Sequence, residues 1–258
     1  MRTTPSSWPK NGLVAILDAL GASSFTHEEI RMFIAARENV LGLLSGKVEE
    51  LLPDKDDVSI FTFNDTILIV MKTRGQITTL DNMKSFFRLL RKFMVDSLKE
   101  GILFRGAVAE GTFYAKDETN TVMGQAVTDA AAWYDKADWM GIHATPRTSL
   151  LISKNLETAK IDNRYNYNLI IDYKVPLKDG NKIKVKAVTW PTVFFQPSSP
   201  PCETGDSPRS KLLDLLTMHQ IPKGTESKYV NTLRFFDYVA SLLEKSANPQ
   251  NAQPIETK

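Results

Sequence analysis

Five apolar residues, Leu13-Val14-Ala15-Ile16-Leu17, run straight into Asp18, and Gly21 follows three residues later. No other stretch constrains the fold as much. It predicts a buried strand that ends in a carboxylate and a tight turn. An unpartnered charge at such a place is costly, so something cationic is expected beside it. A second acid, Asp65, stands in Phe61-Thr62-Phe63-Asn64-Asp65-Thr66-Ile67-Leu68-Ile69-Val70. Here two β-rich runs meet at Asn64-Asp65, which reads as a hairpin turn. Two acids, each at a strand end, can share a pair of divalent cations of the kind that hold a nucleoside triphosphate.

The rest of the chain supplies a frame for these two. Periodicity predicts a helix over 27–52 with Thr26 as its N-cap and Ile30, Phe33, Ile34, Leu41, Leu44, Val48 and Leu51 on one face. After the hairpin over 58–70, a second amphipathic helix over 79–99 carries Met83, Phe87, Leu90, Met94 and Leu98 and stops at Gly101. A strand over 102–111 follows, then a polar-tipped hairpin over 114–123 and a helix from Gly124 through Tyr134. Further strands are expected at 141–144, 169–175 and 183–190, with a helix opened by Thr145-Pro146 between the first two. The order β-α-β-β-α-β, with further α and β, predicts an α+β fold built on a ferredoxin-like, palm-type sheet with helices on one face. That topology places the end of the first strand beside the hairpin turn, and so Asp18 beside Asp65. We divide the chain into a main domain over 1–195, a Pro/Ser-rich linker over 196–209, C-terminal helices over 210–245 and a polar tail over 246–258 expected to be disordered.

Composition excludes several classes. The net charge of +2, with the basic residues spread along the chain, gives no electrostatic case for nucleic acid or an anionic membrane. No apolar run is long enough to span a bilayer and no signal-peptide core opens the chain, so a cytoplasmic protein is expected. The single cysteine, Cys202, excludes an internal disulfide and a cysteine-based zinc cluster. His27 and His143 have no acids at suggestive spacing and read as structural.

Four segments together resemble the class III nucleotidyl cyclases over about Gly12 to Pro191. Ile16-Leu17-Asp18-Ala19-Leu20-Gly21 is similar to that family's first metal-binding segment, and Phe63-Asn64-Asp65-Thr66 to its second. Phe104-Arg105-Gly106-Ala107-Val108-Ala109-Glu110-Gly111 resembles its Arg-x-Gly-x-x-x-Gly strand with shifted glycine spacing. Gly124-Gln125-Ala126-Val127-Thr128-Asp129-Ala130-Ala131 resembles its Gly-x-x-Val-Asn-x-Ala-Ala helix, with Thr128 in place of Asn. The resemblance implies two Mg²⁺ or Mn²⁺ ions held by Asp18, Asp65 and the Ala19 carbonyl. It also implies a triphosphate cradled by main-chain N–H groups of Gly21, Ala22 and Ser23, and a homodimer with sites at the interface.

The departures bear on the substrate. Where the family reads adenine with a lysine and an acid, this chain has Phe61 and Thr121, which removes the charged donor and acceptor and favours a smaller base. The chain looks most like the pyrimidine cyclases of bacterial Pycsar anti-phage systems, which make cyclic UMP or cyclic CMP from UTP or CTP for a separate effector to read. The family's transition-state Asn and Arg align with Thr128 and Ala132. Arg105 or Lys136 is then left to supply positive charge. A catalytically inactive, nucleotide-binding regulatory module is the rival reading.

Overall fold

The computed structural model describes residues 9–22, 25–51, 57–73, 78–159, 169–196, 207–218 and 224–247. The apolar run becomes β1 (Lys10–Ala19), in which Leu13 to Leu17 are all buried. After α1 (His27–Leu51), β2 (Val58–Phe63) and β3 (Thr66–Lys72) form the hairpin, with Asn64 at φ 52° in its turn. Then come α2 (Leu80–Lys99), β4 (Phe104–Lys116), β5 (Thr121–Met123), α3 (Gln125–Ala131) and β6 (Gly141–Ala144). The chain continues with α4 (Pro146–Thr158), β7 (Ile170–Pro176), β8 (Lys182–Val188), a 3₁₀ turn (Trp190–Phe195), α5 (Pro208–Thr217) and α6 (Glu226–Ala247).

The strands make one mixed sheet in the order β2-β3-β1-β4-β6-β8-β7, with β5 paired to the far end of β4. Only β4 and β6 run parallel; the other pairs are antiparallel. The fold is α+β, and its β1-α1-β2-β3-α2-β4 part has the expected connectivity. Register puts Asp18 opposite Thr66 on one side and opposite Arg105 on the other.

Successive residues of a strand point to opposite faces, and β1 is buried on both. Leu13, Ala15, Leu17 and Ala19 enter the larger core with α1, α2 and α4, and α5 and α6 add Leu212, Leu216, Phe235, Phe236 and Val239 to it. Val14 and Ile16 enter a smaller core with Phe61, Val70, Ala109, Phe113, Ala126 and Ala130. The expectation of helices on one face is therefore corrected, because α3 covers the other. Its alanines let the helix lie close on the glycine- and alanine-rich middle of β4. Asp18 extends the Val14–Ile16 row just past the part α3 covers.

Other boundaries moved for local reasons. β4 continues to Lys116 rather than stopping at Gly111, because its last three residues pair with β5. α3 ends at Ala131, short of the expected Tyr134. β8 stops at Val188, and Trp190, expected in a strand, opens the 3₁₀ turn. Thr26 caps α1 as expected, its Oγ1 accepting from the Glu29 N–H while Glu29 Oε2 accepts from the Thr26 N–H. The expected buried stripe of α1 holds only in its C-terminal half. Val40, Leu44 and Val48 are buried, whereas Ile30 and Ile34 are each 40% exposed.

Candidate active site

At the β1–β4 step the sequence places an acid opposite a base, and the fold joins them. Arg105 Nε and Nη2 both donate to Asp18 Oδ2, at 3.1 and 2.9 Å. The two side chains are only 11% and 15% exposed. The cation that the buried strand end called for is thus an arginine of the neighbouring strand. Close approach of the strands permits it. A Cβ on Gly106 would lie 2.4 Å from the Ile16 carbonyl oxygen, so only glycine fits beside Arg105.

Asp65 arrives from the hairpin turn. Its main-chain carbonyl accepts from the Ala19 N–H at 3.1 Å, which ties the turn to the end of β1. Arg37 Nη1 holds the preceding Asn64 carbonyl from α1 at 2.5 Å. The Asp65 charge reaches Asp18. Burial, above all, raises the Asp18 pKa from its ordinary 3.8; Arg105 pulls it down, and Asp65 and Asp135 add to the rise.

Asp135 and Tyr134 adjoin this pair, and sequence reasoning did not single them out. Both lie in the turns after α3, and the Asp135 carbonyl accepts from Arg105 Nη1 at 3.1 Å. The Tyr134 hydroxyl has its pKa raised, first by burial and then by the charges of Asp18 and Asp135. The one available signal was a pair of polar residues at the end of an expected helix that had run out of apolar periodicity. From Asp135 the chain passes to Asp138, which α6 grips. Asn231 Nδ2 donates to the Asp138 carbonyl and to its Oδ2, Ser227 Oγ donates to Oδ1, and Lys228 Nζ lies 3.6 Å from Oδ1. Thr232 Oγ1 accepts from the Met140 N–H, and Trp139 packs edge-on against Phe235.

Not all of the predicted residues meet here. Asp18, Ala19, Asp65 and Arg105 do, and Gly21 (φ 83°) and Ala22 form the turn that follows β1. Ser23 lies outside the described residues. Phe61 is 5% exposed and belongs to the smaller core, two residues from the hairpin turn. Thr121 pairs with Lys116 and donates to the Thr119 carbonyl. Lys116 is eleven residues along β4 from Arg105, a span of roughly 35 Å at the usual rise per residue. Thr128 is exposed on α3 and donates back to the Gly124 carbonyl. Lys136 lies over the Trp133 ring at 4.4 Å, and Lys178 Nζ is 3.6 Å from Asp135 Oδ2. His143 is fully buried on β6.

Among the described residues no three His, Cys, Asp or Glu side chains gather as a metal-binding group. The hard-oxygen donors on offer are Asp18 Oδ1, which accepts no hydrogen bond from the described residues, the Asp65 carboxylate and main-chain carbonyls. One or two carboxylates supplemented by water and substrate phosphates are what Mg²⁺ ordinarily takes. The donor set therefore fits a hard divalent cation that arrives with a phosphorylated ligand. Among the described residues no helix is long and apolar enough to cross a membrane.

No protein family and no curated protein matches the chain. Among solved structures it is similar to the crystal structure of the adenylyl cyclase CyaB from P. aeruginosa. The two share 12% identity with a TM-score of 0.43, over 70% of this chain and 94% of that one.

Proposed function

We propose that this protein is a nucleotide cyclase that converts a pyrimidine nucleoside triphosphate, UTP before CTP, to its 3′,5′-cyclic monophosphate and pyrophosphate. The observation that carries the proposal is the meeting of Asp18 and Asp65, 47 positions apart in sequence, at one end of the β1–β3 pair. Asp18, Asp65 and the Ala19 carbonyl would hold Mg²⁺ or Mn²⁺. Bound there, the ions supply Lewis acidity toward the ribose 3′-oxygen and charge neutralisation at the phosphates. The 3′-hydroxyl would give its proton to solvent and its oxygen would bond to the α-phosphorus as the bond from that phosphorus to the bridging oxygen breaks and pyrophosphate leaves. Main-chain N–H groups of the Gly21–Ala22 turn would orient the phosphates, and Arg105 would add positive charge beside them.

The remaining residues support a homodimer. Thr121 pairs with Lys116, roughly 35 Å along β4 from Arg105 at the usual rise per residue, and Thr128 is exposed on α3. A second protomer would present Thr128 to the ribose, while Phe61, buried beside Ile16 in the smaller core, would shape the base pocket from its own protomer. Phe61 and Thr121 carry no charge, which suits a pyrimidine better than the charged donor and acceptor that adenine reading uses. On this reading the product is a second messenger for anti-phage defence, read by a separate effector in the cytoplasm, and neither nucleic acid nor a membrane is a partner.

The test is incubation with each of the four NTPs and Mn²⁺, followed by chromatography. Cyclic UMP is the expected product, and Asp18→Asn and Asp65→Asn are each expected to abolish it. Cyclic AMP alone would overturn the base assignment. One observation favours a second reading, that of an inactive nucleotide-binding regulatory module: Arg105 already occupies Asp18 Oδ2. Nucleotide binding without product from any NTP would establish that reading instead.

A further inference from the structure

We infer that Arg105 is a competitor for Asp18, holding the carboxylate against divalent cations until a phosphorylated ligand draws the arginine away. The inference rests on the cyclase reading, since it concerns the ion that Asp18 would bind.

Three features of the pair carry it. Both donated bonds land on one oxygen, Oδ2, so Arg105 takes half of the Asp18 donor capacity outright. The pair is nearly buried, at 11% and 15% side-chain exposure, where solvent screens little. A cation bound at Oδ1, which accepts no hydrogen bond from the described residues, would therefore sit a few ångströms from the guanidinium charge. Repulsion between like charges at about 5 Å and a dielectric of about 20 already exceeds a factor of ten in binding. Outer partners that strengthen a metal ligand are groups that raise its basicity. A guanidinium withdraws density from the carboxylate and lowers its donor strength.

Arg105 also has somewhere to stay when it lets go. Its Nη1 is bonded to the Asp135 carbonyl, so it can rotate off Oδ2 without leaving the site. That carbonyl is firmly placed. Three residues on, Asp138 is fixed by Ser227, Lys228 and Asn231 of α6, and the Lys136 carbonyl accepts from the Lys178 N–H at 2.9 Å. The triphosphate of an incoming nucleotide offers anionic oxygens that suit the freed fork better than one shared carboxylate oxygen.

The experiment is a Mn²⁺ titration of the nucleotide-free protein, following the free-ion EPR signal. It compares the parent with Arg105→Met, Arg105→Gln, Arg105→Lys and Asp18→Asn, each checked for folding by circular dichroism. Competition predicts that Arg105→Met binds Mn²⁺ at least about tenfold more tightly than the parent. Arg105→Gln, which keeps a hydrogen bond but not the charge, should gain similarly, and Arg105→Lys should gain little. If Arg105→Met does not fold, Arg105→Gln alone decides the matter. Should Asp18→Asn lose the ion while neither neutral variant binds more tightly than the parent, competition is refuted and the metal reading survives. Should Asp18→Asn bind Mn²⁺ as the parent does, both fall together.

Discussion

Asp18 and Asp138 are buried to nearly the same degree, with 15% and 17% of their side chains exposed. Each faces a basic residue that is equally enclosed. Their surroundings differ in one respect. Asp138 has both carboxylate oxygens and its carbonyl taken by three residues of α6, whereas Asp18 has two bonds on one oxygen and none on the other from the described residues. A buried acid with both carboxylate oxygens engaged by the protein specifies structure. One left half-engaged at the end of a central strand, near a second acid, is on the proposed reading open to a ligand.

The largest expected effect separates the two by activity. Asp18→Asn and Asp65→Asn should each lower turnover of the cyclised nucleotide by about ten-thousandfold, about 5 kcal/mol of transition-state stabilisation. Asp138→Asn, which keeps the size and the acceptor oxygen, should stay within about tenfold of the parent. Initial rates with saturating Mn²⁺ decide this. Near-parental turnover in the Asp18 variant would erase the distinction.

Stability should order the pair the other way. Asp138→Ala strands Lys228, whose side chain is 10% exposed, and should cost about 4 kcal/mol in urea denaturation. Asp18→Asn should fall within about 1 kcal/mol of the parent. The sign comes from the raised pKa. The folded chain holds the Asp18 proton more tightly than the unfolded chain does. The contribution of this acid is therefore present below 3.8 and lost as pH rises through the folded value, so neutralising it removes a burden.

His143 gives a pH test of burial. Burial lowers its pKa from 6.5 to about 4, and the Gly106 main chain offsets only part of that. The unfolded chain binds the proton first, so stability should fall as pH drops from about 6.5 to about 4. The full loss is about 3 kcal/mol. In His143→Leu this slope should vanish, since no group then titrates at that position. Thermal melts across that window check both.

How far these contrasts were legible in the sequence follows from what sets each contact. β1, the hairpin and α2 declared themselves because apolar period and turn chemistry are local properties. Asp18 and Asp65 could be paired because β-α-β-β connectivity brings those strand ends together. Arg105 was visible as a candidate, but its grip on Asp18 depends on the β1–β4 register, which no short pattern encodes. Asp135 and Tyr134 escaped notice altogether. Their segment has no periodicity of its own and takes its shape from α6, whose Asn231 is 93 positions from Asp138. The outward lie of Ile30 and Ile34 was equally hidden, since amphipathic spacing does not say where the neighbouring surface ends.

The smallest expected effect comes from a third acid, which shows where the comparison stops. Asp135 reaches Lys178 at 3.6 Å, with both side chains about half exposed. An ion pair so open to solvent contributes little, so Lys178→Met should change stability by less than about 0.5 kcal/mol. What Asp135 gives the site is its carbonyl, which bonds Arg105 whatever the side chain. Asp135→Asn should therefore leave Arg105 in place, and removal of its charge should lower the Asp18 pKa, because that charge helps to hold it up. Carboxyl ¹³C titration of Asp18 in the two proteins reads this directly. An unchanged titration would mean that the Asp135 charge does not reach Asp18, and the site would reduce to Asp18, Asp65 and Arg105.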